Sequence, residues 1–236
     1  MSACITLKHV RFRWPGAQLT TLNIPQLLIG RSEQVLLRGA SGCGKSTLLS
    51  LIAGIHQPLA GSVEVLDHDL AKLSQRQRDQ LRANEIGYIF QQFNLLPYLS
   101  ALDNVALACQ FAPARRQRLR QQGLTIQQAS AELLQRLGLN AAQQQAKAEQ
   151  LSVGQQQRVA AARALLGAPA LIIADEPTSA LDQAHRDAFI EVLFAQCAAQ
   201  QSTLLFVTHD STLAKHFGRV IEFAELNPCS GALTHA

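Results

Sequence analysis

The sequence predicts an α/β fold, with a mainly parallel sheet and an inserted helical subdomain. One observation is that short apolar runs closed by Gly, Asp or Thr flank the middle of the chain, which is typical of strands covered by helices on both faces. The predicted strands span residues 5–12, 35–37, 63–66, 86–90, 171–174, 204–207 and 220–223, and all but 86–90 lie in the flanks. The other is that residues 74–150 are rich in Gln, Arg and Ala at helical spacing, with a helix predicted over 127–137 and ended by Gly138.

Length and composition favour one large α/β domain that works in a reducing compartment. The chain has 236 residues, 47% of them apolar, and no apolar run approaches the ~20 residues needed to cross a bilayer. Its five cysteines are scattered and include no C-x-x-C pair, which argues against a disulfide framework or a zinc site. We therefore expect a cytosolic chain with no transmembrane segment of its own.

The charge excess is mild, since only 16% of the residues are charged and the net charge is +4. One dense basic run stands out, formed by Arg115, Arg116, Arg118 and Arg120. It is interpreted as a solvated helix face, and the alternative is a contact with anionic lipid or nucleic acid.

The strand at 35–37 is followed by the pattern G-x-x-x-x-G-K-[ST], which predicts a phosphate-binding loop. Its glycines let successive backbone N–H groups point inward and form an anion nest at a helix N-terminus. Lys45 would neutralise the outer phosphates, and the Ser46 hydroxyl would bind a magnesium ion. The alternative is an ordinary tight turn that connects a strand to a helix and includes a lysine by chance. The predicted nucleotide-binding residues of this loop are Gly39, Ala40, Ser41, Gly42, Cys43, Gly44, Lys45, Ser46 and Thr47.

Two further strands end in polar residues suited to hydrolysis. The strand at 171–174 ends in Asp175 and Glu176, so it predicts a magnesium-binding carboxylate followed by a general base for the attacking water. The strand at 204–207 is followed by His209, whose imidazole could donate to the terminal phosphate and hold the lytic water. The alternative for the carboxylates is a solvated turn.

A second helix start is predicted to bind an anion. Ser152 and Gln155 have the spacing of a capping box, and Gly154 in the first turn lets a ligand approach the free N–H groups. This signal is weak by itself because every capped helix has such an end.

Taken together, the phosphate-binding loop, the Asp-Glu pair, His209 and the run Leu-Ser-x-Gly-Gln resemble the ATP-binding subunit of an ABC transporter, from about residue 4 to residue 224. The resemblance implies a P-loop NTPase fold with a RecA-like core and an N-terminal antiparallel β region. It implies a single domain over 1–236, with a catalytic core at 1–90 and 153–236 and a helical subdomain at about 91–152. The implied ligands are ATP and Mg²⁺.

The resemblance assigns three more residues. Gln91 is similar to the glutamine that contacts magnesium and water beside the membrane subunit. Asp182, in the run Ser-Ala-Leu-Asp that begins at Ser179, is similar to the aspartate that crosses a dimer seam. Trp14 stands where the family has an aromatic residue that stacks on adenine, and the alternative is a turn aromatic packed on the core. Cys43 and Val153 depart from the commonest family residues, Ser and Gly, at positions that contribute mainly backbone groups.

The resemblance also implies a head-to-tail dimer, in which Ser152, Gly154 and Gln155 of one copy meet the γ-phosphate held by Lys45 of the other. The apolar loop at 91–99 is interpreted as the surface that docks on an integral-membrane permease, and the alternative is local core packing. Its apolar members are Phe93, Leu95, Leu96 and Tyr98. The implied location is the cytoplasmic face of the inner membrane, and no nucleic-acid partner is expected.

The sequence of residues 91–105 is similar to that of the family branch that serves lipoprotein release and macrolide efflux. The predicted function is therefore that of an ATP-hydrolysing subunit that dimerises around MgATP and drives a permease in export or lipid release. The alternatives are an importer subunit, a soluble ABC ATPase that acts on ribosomes or DNA, and a catalytically silent interaction module. A GTPase is disfavoured because no Asn-Lys-x-Asp run occurs.

Overall fold

A computed structural model describes residues 3–179 and 181–228 of the chain. It divides the chain into two compact units, Met1–Arg82 with Thr203–Ala236, and Ala83–Ser202. The described strands are β1 Ala3–Phe12, β2 Leu22–Gly30, β3 Gln34–Arg38, β4 Ala60–Val65, β5 His68–Asp69, β6 Ile86–Ile89, β7 Leu171–Asp175, β8 Thr203–Thr208 and β9 Arg219–Glu222. The described helices are α1 Lys45–Ile52, α2 Gln75–Glu85, α3 Ala101–Ala106, α4 Pro113–Gln121, α5 Ile126–Arg136, α6 Ala141–Gln145, α7 Val153–Leu165, α8 Gln183–Ala199 and α9 Phe223–Leu226.

The first unit contains the antiparallel β region. Strand β1 pairs antiparallel with β2 and with β4, and β4 pairs with the two-residue β5. Strand β2 was not predicted, because Pro25 interrupts its apolar pattern. Proline cannot donate to a ladder, and β2 accommodates it because it lies at the edge of this sheet.

The first unit also contains a parallel ladder in which β3 lies between β8 and β9. Every residue of β8 is buried, as expected for a strand with both faces covered. Because the strands are parallel and in register, the carboxyl ends of β3 and β8 meet at one edge, where Arg38 pairs with Thr208.

In the second unit β6 pairs in parallel with β7, and helix α7 packs closely on β6. A Cβ added to Gly87 would lie 2.2 Å from the Ala164 carbonyl oxygen and 2.6 Å from Ile172 Cδ1. The sequence-predicted strands and the helix at 127–137 are present with small shifts at their ends, and the α/β fold class is confirmed. Among the described residues, no helix combines the length and the apolar character needed to cross a bilayer.

Interpreting the basic run as a solvated face is wrong for Arg115, whose side chain is only 3% exposed. Its guanidinium donates to the carbonyl oxygens of Ile86 at 2.7 Å, Leu166 at 3.1 Å, and Ala164 and Asn84 at 3.3 Å. Burial lowers the pKa of Arg115 to about 10, so it stays charged at neutral pH. Arg115 therefore joins α4 to the start of β6 and the end of α7.

Of the other three arginines in the run, two also donate to protein groups and one is exposed. Arg118 lies one turn further along α4 and donates to Glu85 at 3.0 Å and to the Gly167 carbonyl at 2.8 Å. Arg116 donates to carbonyls of the preceding turn, and only Arg120 of the four is exposed. The predicted helix is present, but most of its arginines contact other parts of the protein and do not face solvent.

Candidate functional site

The predicted phosphate-binding loop connects β3 to α1 in the first unit. Gly42 and Gly44 have φ angles of 77° and 111°, in the left-handed region that glycine adopts without strain, and Gly44 is the N-cap of α1. Lys45 is 6% exposed, and its Nζ donates to the carbonyl oxygens of Gly39 at 2.7 Å and Ala40 at 2.8 Å. The ammonium group is thus held against the loop that the sequence predicts to hold phosphates.

Gly39 is required for a different reason, which is close packing. A Cβ at this position would lie 2.8 Å from Phe223 Cβ and 3.1 Å from Cys43 Sγ. Phe223 is fully buried at the start of α9 and also comes within 3.5 Å of the position of a Cβ on Gly44. Sequence reasoning missed Phe223 as a support of the loop, since nothing local connects residue 223 with residue 39. Cys43, a residue of the loop itself, is also buried, with 5% of its surface exposed.

The structure brings His209 to the same edge of the first unit as this loop. The Gly39 N–H donates to the Thr208 carbonyl at 3.2 Å, so the residues that follow β3 and β8 are neighbours. The His209 side chain is exposed at this edge. This arrangement agrees with a role at the outer phosphate, and the role itself remains a proposal.

Trp14, the predicted adenine platform, is 40% exposed in the first unit. Its ring contacts Phe12 and His56 edge to face, with centroids 5.2 Å and 4.8 Å apart. The indole is therefore held in place while a substantial part stays open to solvent, which suits stacking against a flat ligand.

The second unit contains the two predicted carboxylates. Asp175 is the last residue of β7, and Glu176 follows it with 9% exposure and a φ of 47°, which is uncommon outside glycine. Tyr88 on the neighbouring strand hydrogen-bonds to the Asp175 carboxylate, and burial together with that carboxylate raises the pKa of the Tyr88 hydroxyl. Tyr88 thereby supports the predicted metal ligand, a role that the sequence did not reveal.

Gln91 lies two residues beyond the end of β6, where Ile89 is paired with Ala174 of β7. The parallel pairing thus brings Gln91 and Asp175 to one edge of the second unit. Gln91 is exposed.

The prediction that the whole loop at 91–99 forms a docking surface needs one correction. Tyr98 and Leu96 are 62% and 37% exposed, but Phe93 is only 8% exposed. Phe93 and Asn94 both have positive φ angles, 57° and 50°, and Arg163 holds their carbonyl oxygens at 2.6 Å. The backbone turn leaves Phe93 buried, so only part of the loop is available to a partner.

The predicted capping box is confirmed at the start of α7. The Ser152 hydroxyl accepts from the Gln155 N–H at 3.4 Å, and the Gln155 side chain accepts from the Ser152 N–H at 2.9 Å. Ser152 is exposed and Gly154 is half-buried, so a ligand can approach the first turn.

Asp182, the predicted seam residue, is the N-cap of α8 and accepts from the His185 N–H at 3.0 Å. Its side chain is 67% exposed. Ala180 of the same predicted loop lies outside the described residues.

The three predicted metal ligands have donor atoms that fit Mg²⁺. They are the Ser46 hydroxyl, the Gln91 amide oxygen and the Asp175 carboxylate, all hard oxygen ligands of the type that Mg²⁺ prefers. The chemistry of this donor set therefore agrees with the predicted cofactor, and the assignment of each ligand remains a proposal.

Comparison with known proteins agrees with these motifs. The family model described as "ABC transporter" matches residues 22–179, which is more than half of the 236 residues. The macrolide export ATP-binding/permease protein MacB of Pectobacterium atrosepticum is 40% identical over 215 residues, covering 91% of this chain and 32% of MacB. The chain thus spans about a third of the length of this relative. The uncharacterized ABC transporter ATP-binding protein YbbA of Escherichia coli is 39% identical, covering 86% of each chain.

A solved structure also matches nearly the whole chain. It is the dimeric, post-hydrolysis state of the ATP-binding cassette MJ0796 bound to ADP and Pi. The match has a TM-score of 0.76 and 34% identity, and it covers 92% of this chain and 93% of MJ0796. The chain therefore belongs to the ABC transporter family, as one of its ATP-binding, ATP-hydrolysing subunits, the class that its motifs predict.

Proposed function

We propose that two copies of this chain close head to tail around MgATP, and that this closure drives an integral-membrane permease. The observation that carries the proposal is that one chain has two separate features suited to binding an anion. One is the glycine loop that surrounds Lys45, and the other is the capped start of α7 with Ser152 exposed. Each copy would supply one of these features to each ATP, so hydrolysis would require association.

Within each ATP site the chain's own residues take distinct roles. Lys45 and the loop N–H groups bind the phosphates, Trp14 stacks on adenine, and Glu176 takes a proton from the attacking water. His209 and Gln91 orient that water at the terminal phosphate, and Asp182 contacts the second copy across the seam. When bound, Mg²⁺ neutralises charge on the phosphates, and its proposed ligands are Ser46, Gln91 and Asp175.

The partial burial of Glu176 supports its assignment as the base. At 9% exposure the carboxylate is largely shielded from bulk water, yet Glu176 directly follows the proposed metal ligand Asp175. A base in this position can accept a proton from one ordered water, because few bulk water molecules reach it to exchange protons with it.

The proposed partner is a permease, and the proposed direction is export or lipid release. Tyr98 and Leu96 form the exposed apolar part of the loop at 91–99 that would dock on a permease helix. Export is supported by the relatives, since MacB carries an export name and the probable syringafactin export protein of Pseudomonas syringae is 37% identical. The chain would then work as a peripheral subunit at the cytoplasmic face of the inner membrane.

The organisation proposed for this function is a catalytic core at 1–90 and 153–236 with a helical and signature subdomain at about 91–152. An importer subunit is the alternative within the family. Copurification with a permease that has a large extracytoplasmic domain would favour the release or efflux branch.

Replacing Glu176 by Gln tests both the base and the dimer. We expect Glu176→Gln to lose hydrolysis by roughly 100-fold or more, since the amide cannot accept the proton, while MgATP still assembles a dimer. Light scattering after size exclusion measures the dimer, and phosphate release measures the rate. Glu191→Gln, on the exposed face of α8, is the matched control and should behave like the unaltered chain. A wild-type rate in Glu176→Gln would remove the base assignment, and monomers in saturating MgATP would remove the dimer.

A further inference from the structure

Helix α7 carries a buried side chain that holds the loop containing Glu176. Gln157 is 1% exposed, and its Nε2 donates to the Pro177 carbonyl oxygen at 2.8 Å. Pro177 directly follows Glu176, whose φ of 47° is a strained conformation for a residue with a side chain. A conformation of this kind persists only when its surroundings hold it, and the bond from Gln157 is one such restraint.

The same helix holds the loop that begins at Gln91. Arg163 donates through Nη1 to the Asn94 carbonyl and through Nη2 to the Phe93 carbonyl, both at 2.6 Å. These two residues have positive φ angles, and both of their carbonyls accept from the one guanidinium. Burial lowers the pKa of Arg163, and the two carbonyl acceptors compensate for the water that its charge has lost.

Both restraints arise from a helix that begins at the proposed γ-phosphate contact. The first turn of α7 follows Ser152, and Gln157 and Arg163 are six residues apart, or about 9 Å along the axis. Ser152 lies at the proposed seam, whereas Glu176 and Gln91 act on the chain's own ATP. The helix therefore connects a contact with one ATP to the groups that hydrolyse the other.

We propose that α7 couples the two ATP sites of the dimer, with Gln157 and Arg163 as positioning residues for Glu176 and Gln91. The inference rests on the proposed head-to-tail dimer and goes beyond it. Contact between the start of α7 and the partner's γ-phosphate fixes the helix. The fixed helix then sets the Glu176 turn through Pro177 and the Gln91 loop through residues 93 and 94. The rate of hydrolysis at each site thereby depends on whether ATP occupies the other site.

Two substitutions remove the restraints, and only the first of them, Gln157→Leu, nearly conserves side-chain volume. Gln157→Leu deletes the donor to Pro177, and Arg163→Gln shortens the side chain and removes its charge. The matched controls are Gln135→Leu and Arg136→Gln, which alter exposed residues of α5 in the same unit. Each variant is made in the full chain, alone and combined with Glu176→Gln, and its thermal midpoint is measured first.

The expected result is a loss of turnover and of cooperativity without a loss of assembly. In MgATP titrations kcat falls on the order of 10- to 100-fold, the Hill coefficient falls toward 1, and KM changes little. In the Glu176→Gln background both variants still form MgATP dimers at the same nucleotide concentration as the controls. Arg163→Lys, which keeps the charge but loses the two-pronged donor, lies between the unaltered chain and Arg163→Gln.

Three outcomes would overturn the inference. The first is a Hill coefficient and kcat equal to those of the controls. The second is a kcat loss with a parallel loss of dimers, which would indicate a structural role only. The third applies if Gln157→Leu unfolds, in which case Arg163→Lys is the deciding variant. A Hill coefficient in Arg163→Lys equal to that of the controls would then overturn the inference. Failure of the parent Glu176→Gln chain to dimerise would instead contradict the proposed function, so the two failures are distinguishable.

Discussion

At the scale of single residues, side chains that donate to backbone carbonyls organise much of the second unit. Arg115, Arg163 and Gln157 all bind main-chain oxygens rather than carboxylates. A carbonyl carries only a partial charge, so such a bond holds a loop or strand end without a second buried ion. This explains how a chain with few charged residues buries an arginine as completely as Arg115.

Arg115→Ala is predicted to destabilise the chain by about 2–4 kcal/mol. The substitution leaves the carbonyl acceptors of Ile86, Leu166 and their neighbours buried without a donor, and each such group costs roughly 1–3 kcal/mol, partly offset because a buried charge is also removed. Urea denaturation measures the free energy of unfolding. Arg120→Ala, on the exposed side of α4, should lie within about 0.5 kcal/mol of the unaltered chain. Equal stabilities for the two variants would show that the bonds of Arg115 contribute nothing net.

At the scale of elements, the contact between β6 and α7 is unusually close because Gly87 has no side chain. The strand backbone approaches the helix so nearly that a Cβ would overlap the Ala164 carbonyl oxygen, 2.2 Å away. The obstacle is backbone rather than the end of a flexible side chain, so rotamer changes cannot relieve it. The strand that precedes Gln91 and the helix that follows Ser152 are thus packed directly against each other.

Gly87→Ala should therefore cost about 1–3 kcal/mol in stability, the usual range for overpacking a core. We also expect lower ATP hydrolysis, because separation of β6 from α7 would shift the loop at 91–94. Thermal unfolding measures the loss of stability, and phosphate release measures the rate of ATP hydrolysis. Gly218→Ala is the control, since a Cβ there meets nothing within 4 Å and its φ is not in the left-handed region. A Gly87→Ala protein as stable as this control would refute the packing argument.

At the scale of the whole molecule, Asn227 connects segments more than 200 residues apart within the first unit. It is fully buried, its Nδ2 donates to the Thr21 carbonyl at 3.0 Å, and its Oδ1 accepts from the Asn23 N–H at 2.7 Å. It follows α9, which begins at the Phe223 that packs against Gly39. The segment after β9 therefore supports both β2 and the phosphate-binding loop.

Asn227→Leu is predicted to lower the free energy of unfolding by about 2–3 kcal/mol, because it leaves one buried donor and one buried acceptor without partners. MgATP affinity should fall as well if α9 supports the loop. Urea denaturation and nucleotide titration measure the two quantities, with Glu225→Gln on the exposed face of α9 as the control. Retained stability in Asn227→Leu would mean that water replaces the amide at little cost.

The predicted strands and the capping box of α7 are present because each depends on residues within a few positions of one another. Strand β2 escaped prediction because its position at a sheet edge, which tolerates Pro25, is a property of strand order rather than of sequence. The exposure of the arginines between 115 and 120 was misjudged for a related reason. Helical spacing defines a face, but not what packs on it.

The sequence by itself determined the α/β class, the glycine loop, the acidic strand end and the helix start at Ser152, since these depend on local backbone preferences and nearby side chains. Only the tertiary structure decided that Phe223 supports Gly39, that Arg115 is buried, and that α7 holds both the Glu176 turn and the Gln91 loop. These contacts join residues 20 to more than 180 positions apart, and long-range partners are selected by packing of the whole chain, which no local pattern contains.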